Sequence, residues 1–160
     1  MTSTYLSLGS NLGDRAANLH AAIAALPGAK FRVNKISSIY ETEPVDYVDQ
    51  PWFLNCVVEG ETTSPPIELL HALREIEAHL GSKKAFAKGP RVLDIDILLY
   101  GDQALDSLEL QIPHPRMLER RFVLAPLAEI APELKFPGWT ANVAKLLAVC
   151  SDRSAVRRLL

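Results

Sequence analysis

The chain has little cysteine, with only Cys56 and Cys150 in 160 residues. Two such distant thiols give no metal-binding spacing. Cys56 lies in the apolar run 53–58, where a buried free thiol is expected. No apolar run reaches the ~20 residues of a membrane span. The first residues, Met1-Thr2-Ser3-Thr4-Tyr5-Leu6, have neither a basic segment nor a long apolar one, so no signal peptide is expected and the expected location is cytoplasmic. Neither sign of charge dominates. A net charge of −2 gives no general basic footprint for nucleic acid. Repeats and low-complexity segments are absent.

What is present is a single-domain composition, 48% hydrophobic, read as one domain over residues 1–160 with enough length for a core. The positive charge is local. It gathers at Lys83, Lys84, Lys88 and Arg91, and again at Arg153, Arg157 and Arg158, which read as a solvated helix end. The first basic group runs into Gly89-Pro90-Arg91-Val92-Leu93-Asp94-Ile95-Asp96-Ile97-Leu98-Leu99-Tyr100-Gly101. From Val92 to Tyr100 only Asp94 and Asp96 are polar. On a strand, positions i and i+2 share a face, so the two carboxylates lie beside each other. Burying two bare adjacent carboxylates is unfavourable, and a divalent cation relieves both repulsion and burial. Oxygen-only ligands favour Mg²⁺, commonly with substrate phosphates completing the shell. The plainer reading is a solvated pair or a helix cap. The neighbouring bases favour phosphoryl chemistry on a nucleotide.

In chain order, residues 4–8 read as a strand. A turn follows, Gly9-Ser10-Asn11-Leu12-Gly13-Asp14, then a helix over 15–26 with Asp14 as its cap. That turn lacks the Lys-Ser/Thr ending of a phosphate loop and the three-glycine spacing of a dinucleotide fold, and Asn11 is its residue best suited to a further role. Residues 31–40 read as a second strand containing a bulge, and 41–51 as a long loop of the kind that is functional or mobile. Residues 52–61 read as a third strand. Ser64 caps a second helix ending near Leu80, with Arg74 and Glu77 on one flank. The Asp-x-Asp strand is the fourth. A short strand over 108–112, the break Pro113-His114-Pro115, a helical turn over 116–121, and helices over 122–130 and 139–149 complete the chain. The order β-α-β-β-α-β predicts an α+β, ferredoxin-like antiparallel sheet with helices packed on it, plus C-terminal extras.

Several motifs together resemble one family. They are Gly9-Ser10-Asn11-Leu12-Gly13-Asp14, Ser38-Ile39-Tyr40-Glu41-Thr42-Glu43-Pro44, Gln50-Pro51-Trp52-Phe53-Leu54-Asn55, the Gly89–Gly101 stretch, Ile112-Pro113-His114-Pro115-Arg116-Met117 and Phe122-Val123-Leu124-Ala125-Pro126-Leu127. In this order they resemble the 6-hydroxymethyl-7,8-dihydropterin pyrophosphokinases of folate biosynthesis, over residues 4–137. The resemblance implies transfer of pyrophosphate from ATP to the pterin hydroxymethyl group, giving AMP. It implies two Mg²⁺ ions on Asp94 and Asp96, with Arg91 and Lys84 joining them in the chemistry. It puts Phe53 and Phe122 on the faces of the pterin, and Thr42, Pro44, Val45 and Asn55 at its edge. ATP would meet Arg74, Glu77, Lys83, Lys84, Arg91, Ile97, His114 and Arg120.

Two positions depart from the family pattern. Ser82 stands where many relatives have arginine, and Lys88 where tryptophan often precedes Gly-Pro-Arg. Lysine supplies charge without the planar fork of arginine, so looser closure over ATP is expected. The partners expected are two small molecules, with no nucleic acid and no membrane. A monomer is expected, because no apolar stripe is left over. No fused second enzyme is expected at this length. The alternatives are a non-catalytic pterin or nucleotide module and a different Mg²⁺-dependent transferase, which release of ADP rather than AMP would reveal.

Overall fold

The computed structural model describes residues 1–81 and 89–159. Its centre is β1 (Thr2–Ser10), whose residues from Thr4 to Ser10 are all buried. A strand buried on both faces reads as the continuous apolar run seen here, broken only by small polar residues. Helix α1 (Arg15–Ala25) follows, capped as expected by Asp14, whose carboxylate accepts from Ala17 N at 3.1 Å. Next come β2 (Phe31–Ile36), β3 (Tyr40–Thr42) and β4 (Phe53–Thr62). Helix α2 (Pro66–His79) leads to β5 (Asp94–Tyr100). The remainder is β6 (Leu105–Asp106), β7 (Gln111–Ile112), α3 (Arg121–Ile130), α4 (Val143–Ala148) and β8 (Val156–Arg158).

The main sheet runs β5-β1-β4-β3-β8, with β2 also on β4. Every pairing in it is antiparallel. Its core is the ferredoxin-like order that the sequence predicts. One face packs against α1 and α2 through Leu6, Leu8, Leu54, Cys56, Ile95 and Ile97, which meet Leu19, Leu69 and Leu73. The other face packs Tyr5, Val57 and Leu98 against Val123, Leu124 and Leu127 of α3 and Val143 of α4.

The sequence reading is corrected in five places. The strand expected over 31–40 is two strands. Ser37 breaks it by replacing backbone with side chain: its Oγ accepts from Val57 N at 2.9 Å, while its own N donates to Val57 O at 2.9 Å. Ser64 does not cap α2. Pro65 holds that position, and Ser64 N donates to Thr62 Oγ1 at 3.0 Å. The strand expected over 108–112 is only Gln111–Ile112, paired with Leu105–Asp106 in a small separate ladder. The helix expected over 139–149 starts late, at Val143, where Asn142 caps it through Lys145 N. The C-terminal arginines are not a helix end. They lie on or beside β8, which pairs with β3, and Arg157 and Arg158 meet Glu41 and Glu129.

The C-terminal segment also joins two parts of the molecule. Asp152 Oδ2 accepts from Arg121 N at 2.9 Å at the start of α3, and Glu43 accepts from Ala155 N at 2.6 Å. Phe31 lies over Gly60 on β4. A Cβ at residue 60 would lie 2.3 Å from Arg32 O and 2.3 Å from the Phe31 ring. One of these is backbone in a paired strand and cannot yield cheaply. Gly60→Ala is expected to destabilise the fold by about 2–3 kcal/mol, read as a lower denaturation midpoint at unchanged slope.

Candidate active site

The site lies on the α3 face of the sheet. Directly opposed residues in antiparallel strands share a face. The register sets Asp96, Ser7 and Val57 in one row and Asp94, Gly9 and Asn55 in the next. Thr42 and Phe53 stand opposite each other beyond them. Asp94 and Asp96 are therefore neighbours on one face, as the sequence predicts. Gly9 makes a depression between Asp94 and Asn55, since a Cβ there would lie 2.5 Å from Asn55 Oδ1. Asn55 Nδ2 donates to Thr42 Oγ1 at 2.7 Å, which fixes the amide with both residues buried.

These residues floor a cleft that is partly open to solvent. Phe53 and Phe122 line it, with the Arg91 guanidinium 5.7 Å from the first ring centre and that of Arg120 5.5 Å from the second. Glu43, Val45, Asp46 and Gln50 bring the 43–52 loop to its rim. Arg120 Nε is buried with no hydrogen-bond partner among the described residues, which leaves a charged donor for an acceptor in the cleft. A second cleft lies beyond, lined by Leu70, Arg74, Ile97, Leu110 and His114. Asp96 lines both clefts.

The loops are tied together by Asn11. Its Nδ2 donates to Gln50 Oε1 and Pro51 O, each at 2.9 Å, and its Oδ1 accepts from Arg91 N at 2.8 Å. Its own N donates to Arg91 O at 3.1 Å. The Arg91 side chain donates to Gly89 O at 3.0 Å and to Asp94 Oδ2 at 3.1 Å. Asp46 meets Arg116 at 3.3 Å, which joins the 43–52 loop to the segment before α3.

Helix α2 holds β5 from outside. Ile95 N donates to Glu77 Oε2 at 2.7 Å, and Ile95 O accepts from Arg74 Nη1 at 2.8 Å. Arg74 and Glu77 also pair with each other at 2.8 Å. The one residue between the two aspartates is thus gripped at both of its backbone polar atoms.

Burial pushes the Asp96 carboxyl up to about 7, and the Asp94 charge adds to this. Burial, and then the Arg120 charge, lowers His114 to about 4, so its ring is neutral near pH 7. His114 Nδ1 accepts from Arg116 N at 3.2 Å, which leaves the proton on Nε2 as a donor. Among the described residues no group of three or more His, Cys, Asp and Glu is placed to hold a metal. The donor set nevertheless fits a hard cation. Two adjacent carboxylates lose repulsion on binding it, and water or phosphate oxygens complete the shell.

Thr42, Val45, Phe53, Asn55, Arg91, Asp94, Asp96, Arg120 and Phe122 thus meet at the first cleft. Pro44 is buried between Glu43 and Val45. Arg74, Ile97 and His114 meet at the second cleft, whereas Arg120 lies on the first. Glu77 is bound to Ile95. Lys83 and Lys84, with the departures Ser82 and Lys88, lie outside the described residues. Sequence reasoning missed Ser7, Gly9, Glu43, Asp46 and Gln50 as lining residues. Ser7 had a signal, a polar residue between two leucines of a strand. Glu43, Asp46 and Gln50 had only their place in the long loop, and Gly9 only its place in a turn.

The raised Asp96 carboxyl has a consequence for stability. Its folded value exceeds its unfolded one, so its contribution is full below the unfolded value and is lost as pH rises toward 7. Without divalent cations, Asp96→Asn is therefore expected to be more stable than the parent at pH 8, by on the order of 1–2 kcal/mol, and to differ little near pH 4. Denaturant titrations at the two pH values check this.

Residues 5–132 match the family model described as 7,8-dihydro-6-hydroxymethylpterin-pyrophosphokinase. The chain is 49% identical over 132 residues to the 2-amino-4-hydroxy-6-hydroxymethyldihydropteridine pyrophosphokinase of Bacillus subtilis, covering 82% of this chain and 79% of that one. It is 46% identical to the protein of that name from Methylorubrum extorquens, covering 99% of each. It is also 46% identical over 134 residues to the folic acid synthesis protein fol1 of Schizosaccharomyces pombe, but spans only 18% of that longer chain. Among solved structures, an HPPK-DHPS in complex with substrates superposes with a TM-score of 0.74 at 14% identity, covering 92% of this chain and 43% of that one. At that identity the likeness concerns the fold alone.

Proposed function

This chain belongs to the 7,8-dihydro-6-hydroxymethylpterin-pyrophosphokinase family, a pyrophosphokinase of folate biosynthesis, and we propose that it transfers pyrophosphate from ATP to the hydroxymethyl oxygen of 6-hydroxymethyl-7,8-dihydropterin, releasing AMP. The whole of residues 1–160 would form this one domain and work as a cytoplasmic monomer. The observation that carries the reading is the aspartate pair at the junction of two clefts. One cleft has aromatic walls and a fixed amide, as a flat heterocycle rich in donors and acceptors requires. The other has arginine and a neutral imidazole donor, as a nucleotide requires.

The pterin ring lies between Phe53 and Phe122. Asn55 and Thr42 read its edge, with backbone groups near Pro44 and Val45, and the Gly9 depression admits the ring above β1. The hydroxymethyl group then points along the sheet toward Asp94 and Asp96. ATP occupies the second cleft from the other side. His114 donates Nε2–H to its phosphates, and Ile97 offers strand-edge backbone. Arg74, already fixed on Ile95, adds charge at the same place. Lys83 and Lys84 supply further charge at the phosphates. Arg91 and Arg120 flank the reacting centre.

Asp94 and Asp96 would hold two Mg²⁺ ions, which when bound neutralise phosphate charge and lower the hydroxyl pKa. The chain itself contributes positioning. The hydroxymethyl oxygen attacks the β-phosphorus, the bond from that phosphorus to the α,β-bridging oxygen breaks, and AMP leaves. The hydroxyl proton passes to solvent. Arg91, held by Asn11, Gly89 and Asp94, meets the charge on the transferring group without having to reorganise.

Formation of AMP from ATP and Mg²⁺, with and without the pterin, tests the reaction. Pterin-dependent AMP is expected, falling by about a hundredfold or more in Asp96→Ala. ADP would point to an ordinary kinase, and turnover-free binding to a non-catalytic module. Gly9→Ala probes the pterin side separately. Its Cβ displaces the Asn55 amide, so the pterin KM should rise by about tenfold while the KM for ATP is retained.

A further inference from the structure

Ser7 lines the first cleft but has no role in the steps described so far. It stands between Leu6 and Leu8, both fully buried, and is itself 7% exposed. Its hydroxyl makes no hydrogen bond to any described residue. Unpaired hydroxyls in such surroundings are disfavoured, and alanine would fill the same place in the strand without the penalty. The residual exposure is toward the first cleft, whose floor Ser7 forms with Gly9. It does not line the second cleft.

Its register is informative. Ser7 is directly opposite Asp96 on the same face of the sheet, at a cross-strand Cβ separation of about 5 Å. Two residues further along β1, Gly9 lies between Asp94 and Asn55. A ring held over Gly9 with its edge on Asn55 thus has Ser7 and Asp96 together at its reacting end. The hydroxyl is on the pterin side of that carboxylate.

We propose that Ser7 contacts the substrate hydroxymethyl group and orients it for attack; this rests on the pterin reading of the first cleft. A serine oxygen can accept the hydrogen bond of the substrate hydroxyl. That turns the proton away from the nucleotide and leaves a lone pair directed at the β-phosphorus. Ser7 is not the base, since its own hydroxyl keeps its proton throughout.

The test is calorimetric binding of 6-hydroxymethyl-7,8-dihydropterin and 6-methyl-7,8-dihydropterin to the parent and to Ser7→Ala. Mg²⁺ and the α,β-methylene analogue of ATP are present, so no turnover occurs. The parent should prefer the hydroxymethyl compound. In Ser7→Ala that preference should shrink by about fivefold, entirely through weaker binding of the hydroxymethyl compound. Denaturant stability of the unliganded variant should equal or exceed that of the parent, because an unpaired hydroxyl is gone. An unchanged preference, or equal weakening of both pterins, would overturn the proposal. So would a destabilised variant with both affinities intact. If the parent binds neither pterin and forms no pterin-dependent AMP, the reading of the cleft fails first and takes the role of Ser7 with it.

Discussion

The amide of Asn11 is the constraint on which the site depends. It is buried to 2% exposure, and its nitrogen and oxygen hold two different segments of the chain. One end holds Gln50 and Pro51, where the long loop returns to β4. The other holds the backbone of Arg91, where the chain approaches β5. Asn18 repeats the arrangement from α1, with its side chain donating to Leu12 O at 2.9 Å and Val92 O at 3.3 Å. A primary amide can do this because it offers two donors and an acceptor in one plane. An aspartate in its place could accept from Arg91 but could donate nothing to the loop. The rim of one cleft and the arginine beside the metal-binding pair are thus set relative to each other through a single side chain.

The aspartate pair raises a second problem, since β5 is an edge strand with outward peptide groups. An unpaired edge beside two like charges would be free to twist. Arg74 and Glu77 remove that freedom by bonding both polar atoms of Ile95. The charges also partition sensibly. Arg74 approaches Asp96 at 3.8 Å while Arg91 bonds Asp94, so each carboxylate has its own guanidinium. Burial still leaves Asp96 reluctant to ionise. That reluctance is a store of free energy which a cation can release on binding.

The sequence carried most of the fold because its signals were local. Asp14 before α1, the proline start of α2 and the alternation of Asp94 and Asp96 each depend on few neighbours. What it hid was non-local. That Ser37 would substitute for backbone and divide a strand depends on Val57. That Arg157 and Arg158 would flank a strand edge depends on β3, more than a hundred residues earlier. At the site, residues with distinctive chemistry were legible from motif and resemblance. Ser7 and Gly9 were not read as site residues, since a hydroxyl and a missing side chain acquire meaning only from what the register sets beside them. Arg74 and Glu77 were readable as a helix-surface pair, and their grip on Ile95 appears only once α2 is laid along β5.

The location of the site follows from how far the second helical layer extends. On the α1 and α2 face, the middles of β1, β4 and β5 are apolar, through Leu6 and Leu8, Leu54 and Cys56, and Ile95 and Ile97. On the opposite face each of the same strands changes character along its length. Tyr5, Val57 and Leu98 pack beneath α3 and α4. Two residues further toward the open end the positions become Ser7, Asn55 and Asp96, and then Gly9, Phe53 and Asp94. Polar groups can occupy that half of the face because no helix among the described residues covers it, and the start of α3 supplies only a wall, Phe122, with Arg120 just before it. A period of two along three adjacent strands, combined with one helix layer that stops short, is sufficient to gather carboxylates, an amide and aromatic rings from distant parts of the chain. The first face can then keep the fold rigid beneath a site whose own groups oppose stability.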